Sequence, residues 1–274
     1  MTLVRPLWFI ELLKKNLRNR FRLARLTRLP LLGSLIDRML FEDDDLVYLP
    51  KDRAVTLEVN RAIEPLVNTV LPSQVVHSLI DEASVHWIMD FCICRVANDC
   101  RDHPQEVGCL FLGEAARRID PRLGRLVTRE DAHDHVRRAG EAGLVHLIGR
   151  NKLDTVWLDV GPGERLLTVC NCCSCCCLWR MLPDLHPGIG GKVTRMEGVE
   201  LNVTEHCVGC GTCIEKCFVD AIKIVDGKAR IGEECRGCGR CVEACPQGAI
   251  SITIPDVADI DGTVRRIQKS VNVK

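Results

Sequence analysis

The chain has no net charge, because its 274 residues carry 37 basic and 37 acidic side chains. That balance excludes a global field able to draw in nucleic acid or an acidic substrate. No uninterrupted apolar run approaches the roughly 18 to 20 residues that cross a bilayer. The apolar stretch within residues 1–10 runs into Glu11, Lys14 and Lys15 without a small-residue cleavage site, so it does not read as a secretory leader. A phosphate-cradling glycine loop is missing too. Gly188-Ile189-Gly190-Gly191 has neither the spacing nor the strand–helix setting, which excludes a flavin or nicotinamide held in the common way. The segment Arg129–Ala142 followed by a hairpin lacks the concentrated cationic face of a duplex reader, so no nucleic-acid partner is expected.

Cysteine is what the chain has in excess: eighteen residues. Eight fall into two runs, Cys207, Cys210, Cys213, Cys217 and Cys235, Cys238, Cys241, Cys245, each spaced C-x2-C-x2-C-x3-C. A shift of 28 residues superposes the runs and also matches Ala221 with Ala249, Ile222 with Ile250 and Ile224 with Ile252, as an internal duplication would. Gly209, Gly211, Gly237 and Gly239 permit tight loops that can turn amide N–H groups toward sulfur. Structural zinc prefers paired C-x2-C ligands separated by a longer arm, and fits these runs badly. Thiol density of this order suits a reducing cytoplasm, of an anaerobic or microaerobic cell, better than a secreted disulfide scaffold.

Residues 199–254 resemble the bacterial-type two-cluster ferredoxins, in which this spacing binds two [4Fe–4S] clusters and the fourth cysteine of each run ligates the other cluster. The resemblance implies one site of Cys207, Cys210, Cys213 and Cys245, and a second of Cys235, Cys238, Cys241 and Cys217. Phe218 departs from the pattern, standing where proline usually follows the fourth cysteine, whereas Pro246 keeps it. That change alters packing at one site and removes no ligand.

Residues 72–196 read as a mixed α/β unit. Expected elements are a helix opening at Pro72-Ser73, a strand Val85–Phe91, a helix Leu110–Ile119, a helix capped by Thr128, and a strand Leu144–Ile148. A hairpin of Asp154–Val160 and Arg165–Cys170 should follow, turning at Gly161-Pro162-Gly163. This unit carries the other ten cysteines: Cys92, Cys94, Cys100, Cys109, Cys170, Cys172, Cys173, Cys175, Cys176 and Cys177. Extended backbone would face Cys170, Cys172 and Cys176 one way and Cys173, Cys175 and Cys177 the other. They are read as one or two further iron–sulfur clusters, with structural zinc or free buried thiols as alternatives. The favoured grouping is Cys92, Cys94, Cys100 and Cys109 as one set and Cys170–Cys177 as another, with sharing between segments nearly as well supported. The C-x-C-R and C-N-C-C-x-C-C-C segments upstream of a ferredoxin module make the chain, from about residue 45 onward, similar to uncharacterised iron–sulfur proteins of anaerobic prokaryotes. His103 is the histidine to test as a ligand; His133 and His135 are expected to face solvent, and Asp43-Asp44-Asp45 to be a solvated linker.

Within residues 1–40 nine basic side chains face only Glu11 and Asp37. Leu3, Leu7, Ile10, Leu13, Leu17, Phe21 and Ala24 recur at helical spacing, which fits a helix on an anionic membrane surface, on a partner subunit, or on the protein's own core. The expected fold class is α+β: a basic amphipathic arm (1–45), a cysteine-rich α/β domain (46–196), a ferredoxin-like two-cluster domain (197–256) and a tail (257–274). The function read from this is iron–sulfur electron transfer within a larger redox system, with redox-protein donor and acceptor, in the cytoplasm or peripherally on the inner membrane face through residues 1–28. The alternatives are an oxidoreductase whose catalytic centre lies within residues 92–177, and a redox or metal sensor.

Overall fold

A computed structural model describes residues 7–57, 71–254 and 258–274. Leu3 and Arg5 of the arm, and the expected boundary at 256, lie outside the described residues. The arm breaks into α1 (Leu7–Asn16), α2 (Arg20–Leu26) and α3 (Pro30–Leu40), not a single helix. Pro30 opens α3 because its missing N–H costs nothing in a first turn. Then come β1 (Asp45–Tyr48), β2 (Val55–Leu57), α4 (Ser73–Glu82), β3 (His86–Met89), α5 (Ile93–Ala97), β4 (Leu110–Leu112), β5 (Gly124–Leu126), α6 (Arg129–Glu141) and β6 (Val145–Arg150). The rest of the middle unit is α7 (Lys152–Leu158), β7 (Leu167–Cys172), α8 (Pro187–Gly190) and β8 (Val193–Arg195). The C-terminal lobe holds β9 (Glu200–Val203), α9 (Thr212–Lys216), β10 (Ile222–Val225), β11 (Lys228–Ile231), α10 (Arg240–Ala244), β12 (Ile250–Ile254) and α11 (Ala258–Ser270). The α+β class holds.

A seven-stranded sheet in the order β5-β3-β4-β7-β6-β1-β8 organises the middle unit. Its pairs are antiparallel except β1 with β8. The two-residue side-chain period sorts each strand between two cores. Val47, Ile148, Leu167 and Val169 join Leu79 and Ile80 of α4, Val136 of α6 and Ile267 of α11 on one face. Leu46, Tyr48, Val145, Leu147 and Cys172 face the other side, toward the arm and the cysteine loops. Leu79 and Ile80 are fully buried, each contributing about 1.5–3 kcal/mol by leaving water. Thr128 and Asp131 form a reciprocal capping box at the start of α6.

Several local expectations change. The stretch Leu110–Ile119 is not a helix: its first three residues are wholly buried as β4, and only Glu114–Arg118 coil, as a 3-10 turn. Asp154–Val160 is not a hairpin strand, because Asp154 to Leu158 belong to α7. There Asp154 accepts hydrogen bonds from Asn151, Trp157 and Thr168, which fix a buried carboxylate that a strand would have presented differently. His135 is buried, its Nε2 donating to the Gly108 carbonyl at 2.9 Å, and not solvent-facing; burial pushes its pKa down to about 4. His133 is half-buried, stacked on His77 and bonded to Asp81. Asp44 is buried as well, so 43–45 is not a solvated linker. Residues 258–274 are no loose tail either, since Ile260, Ile267, Val271 and Val273 complete the main core.

The lobe is stitched to the middle unit through its sheet. Strand β12 pairs in parallel with β2 and antiparallel with β9, so a strand from the front of the chain completes the C-terminal lobe.

Candidate iron–sulfur and thiol centres

Each short helix of the lobe starts from a glycine in left-handed backbone: Gly211 before α9 and Gly239 before α10, both at φ +82°. At Gly239 a Cβ would lie 2.6 Å from the Ala54 side chain, so both the angle and the space demand glycine. Gly209 is as constrained, because a Cβ would meet the Gly227 carbonyl oxygen at 2.3 Å. These turns hold the sulfurs in two groups. Cys207, Cys210, Cys213 and Cys245 line one small cavity together with Pro246 and Gln247. Cys241 is influenced by its neighbours Cys238, Cys235 and Cys217, which form the other group. Each group thus draws one of its thiols from the other run.

The donor set fits negatively charged clusters. Backbone N–H groups point at sulfur in both groups at 3.3 Å: Ala229 to Cys207 and Ala249 to Cys245, Gly237 to Cys235 and Ala221 to Cys217. Such bonds stabilise thiolate and the anion it holds. With free thiols, burial pushes Cys235 up to about 11 and Cys241 to about 12, so these sulfurs would ionise readily only on a bound metal.

The other ten cysteines separate into two sites that cut across both expected sets. Cys92, Cys94 and Cys109 line a cavity of about 410 Å³ with Cys170, Cys172 and Cys177, and Cys173 reaches its wall from the second group. The thiols of Cys109 and Cys170 are 3.7 Å apart. The period-two expectation holds for Cys170 and Cys172, which share a face of β7. Past Cys172 the chain turns, and Cys177 rather than Cys176 returns to that side. Strands β3 and β7 are not neighbours, since β4 lies between them; Cys109, at the entry to β4, fills the gap.

That cavity is apolar apart from its sulfurs and a few polar groups. Two of these are cations. Arg95 is fully buried and donates to the Asn171 and Val107 carbonyls, and Arg20 is 6% exposed, yet Nε of each has no hydrogen-bond partner. Two buried guanidiniums with orphan N–H groups beside six thiols fit an anionic occupant. The hydrogen bond from Cys94, opposed by burial and aided by Arg95, draws the Cys92 thiol down to about 7. Cys170 and Cys177, with Arg240 behind them, hold Cys172 well below the ordinary thiol range. α1, the turn after it and α2 supply one wall through Phe9, Leu13, Leu17, Arg20 and Leu23. The apolar stripe of the arm therefore serves the protein's own core.

Cys100 leaves its expected set and joins Cys173, Cys175 and Cys176 in a second, compact group. His103 does not belong to it; its Nδ1 bonds to the Ala142 carbonyl at 3.1 Å.

Arg240, Tyr48 and Phe218 connect the lobe to the cavity and went unread in the sequence except for Phe218. Nη1 of Arg240 lies 3.9 Å from Cys238 Sγ, and its Nη2 donates to the Cys172 carbonyl at 2.8 Å. Its guanidinium stacks over Phe218, whose ring centroid is 5.0 Å from that of Tyr48. The Tyr48 hydroxyl in turn sits 3.8 Å from Cys177 Sγ. The signal available was position: Arg240 immediately precedes a motif cysteine.

Fold and sulfur geometry together define an iron–sulfur protein. Residues 206–250 match the family described as the 4Fe-4S dicluster domain. Comparison with curated proteins and with solved structures found no match. No helix among the described residues is long and apolar enough to cross a membrane.

Proposed function

We propose that this is an electron-transfer protein, a subunit or dedicated partner of a larger redox system, that exchanges single electrons with a redox-protein donor and acceptor. Cys207, Cys210, Cys213 and Cys245 would hold one [4Fe–4S] cluster, and Cys217, Cys235, Cys238 and Cys241 a second. The six cavity cysteines would supply the ligands of a further iron–sulfur centre. Bound clusters of this kind supply one-electron redox chemistry over a wide span of potential.

The observation that carries the reading is Arg240, which touches a thiol of the second group and the backbone of the cavity strand at once. Around it the chain's residues exclude water, through Tyr48 and Phe218, and offset anionic charge, through Arg240, Arg95 and Arg20. The lobe from Cys207 to Ile254 carries six basic and six acidic side chains, which favours a docked module over an acidic carrier that diffuses to basic partners. Anaerobic purification with iron analysis tests the reading. About twelve irons per chain are expected, falling to about eight in Cys92→Ser and Cys172→Ser, since each cubane carries about four. A parent protein with about eight irons, unchanged in those variants, removes the third centre.

A catalytic cavity is the second reading, favoured by the orphan N–H groups of Arg20 and Arg95. A small anion that shifts the EPR spectrum of the parent, but not of Arg95→Met, would support it.

The same reading places the arm on an anionic membrane surface. Trp8, Leu12, Leu26, Leu29, Leu31, Leu35 and Met39 are all exposed, Leu31 to 91%, among the exposed cations Arg18, Arg22 and Arg38. Apolar side chains interleaved with arginine suit the headgroup boundary of an acidic leaflet. Vesicle flotation tests it.

A further inference from the structure

We propose that Cys100, Cys173, Cys175 and Cys176 form a mononuclear tetrathiolate site for a single zinc ion, separate from every iron–sulfur centre of the chain.

The separation of the sulfurs carries the argument. All four ligand atoms lie within 4.8 Å of one another, with Cys100 to Cys175 at 3.5 Å and Cys175 to Cys176 at 3.4 Å. Four thiolates at Zn–S distances of ~2.3 Å around a tetrahedral ion stand ~3.8 Å apart. A cubane cannot be held this way, because each thiolate then sits on a different corner iron and the whole inorganic core lies between them. The cavity differs in kind, with about 410 Å³ of space between its thiols, and of the four-sulfur group Cys173 also reaches its wall. The four sulfurs themselves lie too close together for a cubane core to stand between them.

The surroundings match a closed structural site. Cys100, Cys173 and Cys176 are buried and Cys175 is half-buried, packed with Val107, Ala139 and Leu144. The Cys176 amide donates to Cys173 Sγ at 3.3 Å, and the amides of Asp102 and His103 donate to Cys100. Arg180 grips the Cys175 carbonyl at 2.7 Å, placing a cation near a centre whose net charge is negative. No carboxylate or histidine belongs to the group, and soft thiolates alone select zinc over the harder divalent ions.

The site also explains a run of six cysteines in eight residues. Cys173, Cys175 and Cys176 bind back to Cys100, and this knot turns the flanking Cys172 and Cys177 outward to the cavity. The ion thereby pins the loop after β7 to the loop after α5 and fixes two cavity thiols. Its role is to position Cys172 and Cys177.

Metal analysis and zinc K-edge absorption on the full chain, purified without oxygen and without added chelator, test this. The expected result is about one zinc per chain with four sulfurs at ~2.3 Å. Cys173→Ser should lose that zinc, whereas Cys210→Ser should lose iron and keep it. Should Cys173→Ser fail to fold, the absorption spectrum of the parent still decides. Zinc bound through nitrogen or oxygen, zinc absent from the parent, or zinc retained in Cys173→Ser and lost in Cys210→Ser would each overturn the proposal. Zinc is read independently of iron, so loss of the electron-transfer reading, by an iron-free protein, leaves this result standing or falling by itself.

Discussion

Arg240 ties the sulfur of Cys238 to the main chain of Cys172: one guanidinium nitrogen lies 3.9 Å from the former and another donates at 2.8 Å to the carbonyl of the latter. The guanidinium is 7% exposed and, among the described residues, no carboxylate pairs with it; thiols and aromatic rings surround it instead. A buried cation stabilises the more negative, reduced form of a cluster beside it. Arg240→Met, which keeps the bulk and removes the charge, should lower the potential of the Cys238 cluster on the order of 50 mV, near 1.2 kcal/mol for a one-electron couple. An EPR-monitored redox titration reads it. A potential unmoved by the substitution would leave Arg240 a packing residue.

The proposed crossed ligation makes a pairing of phenotypes. Cys213→Ala and Cys245→Ala should each lose the same cluster, although 32 positions separate them, and Cys241→Ala and Cys217→Ala the other. Each single variant should drop about four irons, and the double variant Cys213→Ala/Cys245→Ala should drop no more than either parent. Iron counts that add in that double variant would assign each run to its own cluster.

How far the sequence reaches is clear from these same residues. The lobe was legible because its spacing encodes both loop geometry and ligand number, and glycine sits where φ is positive. The capping box at Thr128 was legible for the same local reason. The partition of the upstream cysteines was not, since it depends on where Cys100 and Cys109 land after two loops and on which way the chain turns after Cys172. Helix α7 was not legible because β-branched and aromatic residues, Thr155, Val156 and Trp157, suggest a strand, while the Asp154 carboxylate that anchors it is held not only locally by Asn151 and Trp157 but by Thr168 of β7, 14 positions on. The arm's stripe could face membrane or core equally by period; the cavity beneath it decided.

Asp44 gives a pH signature of the fold. Its Oδ1 accepts from the Lys152 amide at 2.6 Å, but Oδ2 is buried without a partner. Burial raises its pKa to about 8, against the pull of the Lys152 amide and Lys192. A raised folded value means the folded state takes up the proton more tightly than the unfolded one. This contribution is therefore greatest below pH 3.8 and is lost as pH rises through about 8. Asp44→Asn should flatten that slope, matching the parent near pH 4 and exceeding it at pH 9 by on the order of a few kcal/mol. Denaturant titrations at the two pH values under anaerobic conditions check the difference.

Phe218 stands where the ferredoxin pattern has proline, and the structure shows what the exchange gains. The ring is 4% exposed, tilted against Tyr48 at 5.0 Å and under Arg240 at 5.0 Å, so it fills the space between the Cys217 turn and the cavity strand. Phe218→Pro would restore the family residue yet empty that space, at a cost of roughly 3 kcal/mol by analogy with other buried phenylalanine truncations. The variant should still assemble both lobe clusters, because no ligand changes, but its Cys217-ligated cluster should bleach faster in air as water reaches the gap. The bleaching rate of the other cluster serves as the internal control. Equal acceleration at both would mean general destabilisation rather than a lost seal.

The proposed membrane attachment separates along the arm in a way that period alone does not suggest. Ile10 and Ala24 are buried against the protein, so substituting them should damage the fold. Leu31 and Leu35 on α3 are 91% and 54% exposed and make no demand on the core. Leu31→Glu/Leu35→Glu should therefore leave iron content and unfolding midpoint unchanged while abolishing flotation with vesicles containing phosphatidylserine. Removing charge from Arg18 and Arg22 together should weaken binding by ~2 kcal/mol, about 1 kcal/mol per cation near an acidic surface, and reduce its salt dependence. Flotation that persists in the double glutamate variant, or that is equal on neutral vesicles, would move the surface off the membrane and leave α3 as a docking face for a protein partner.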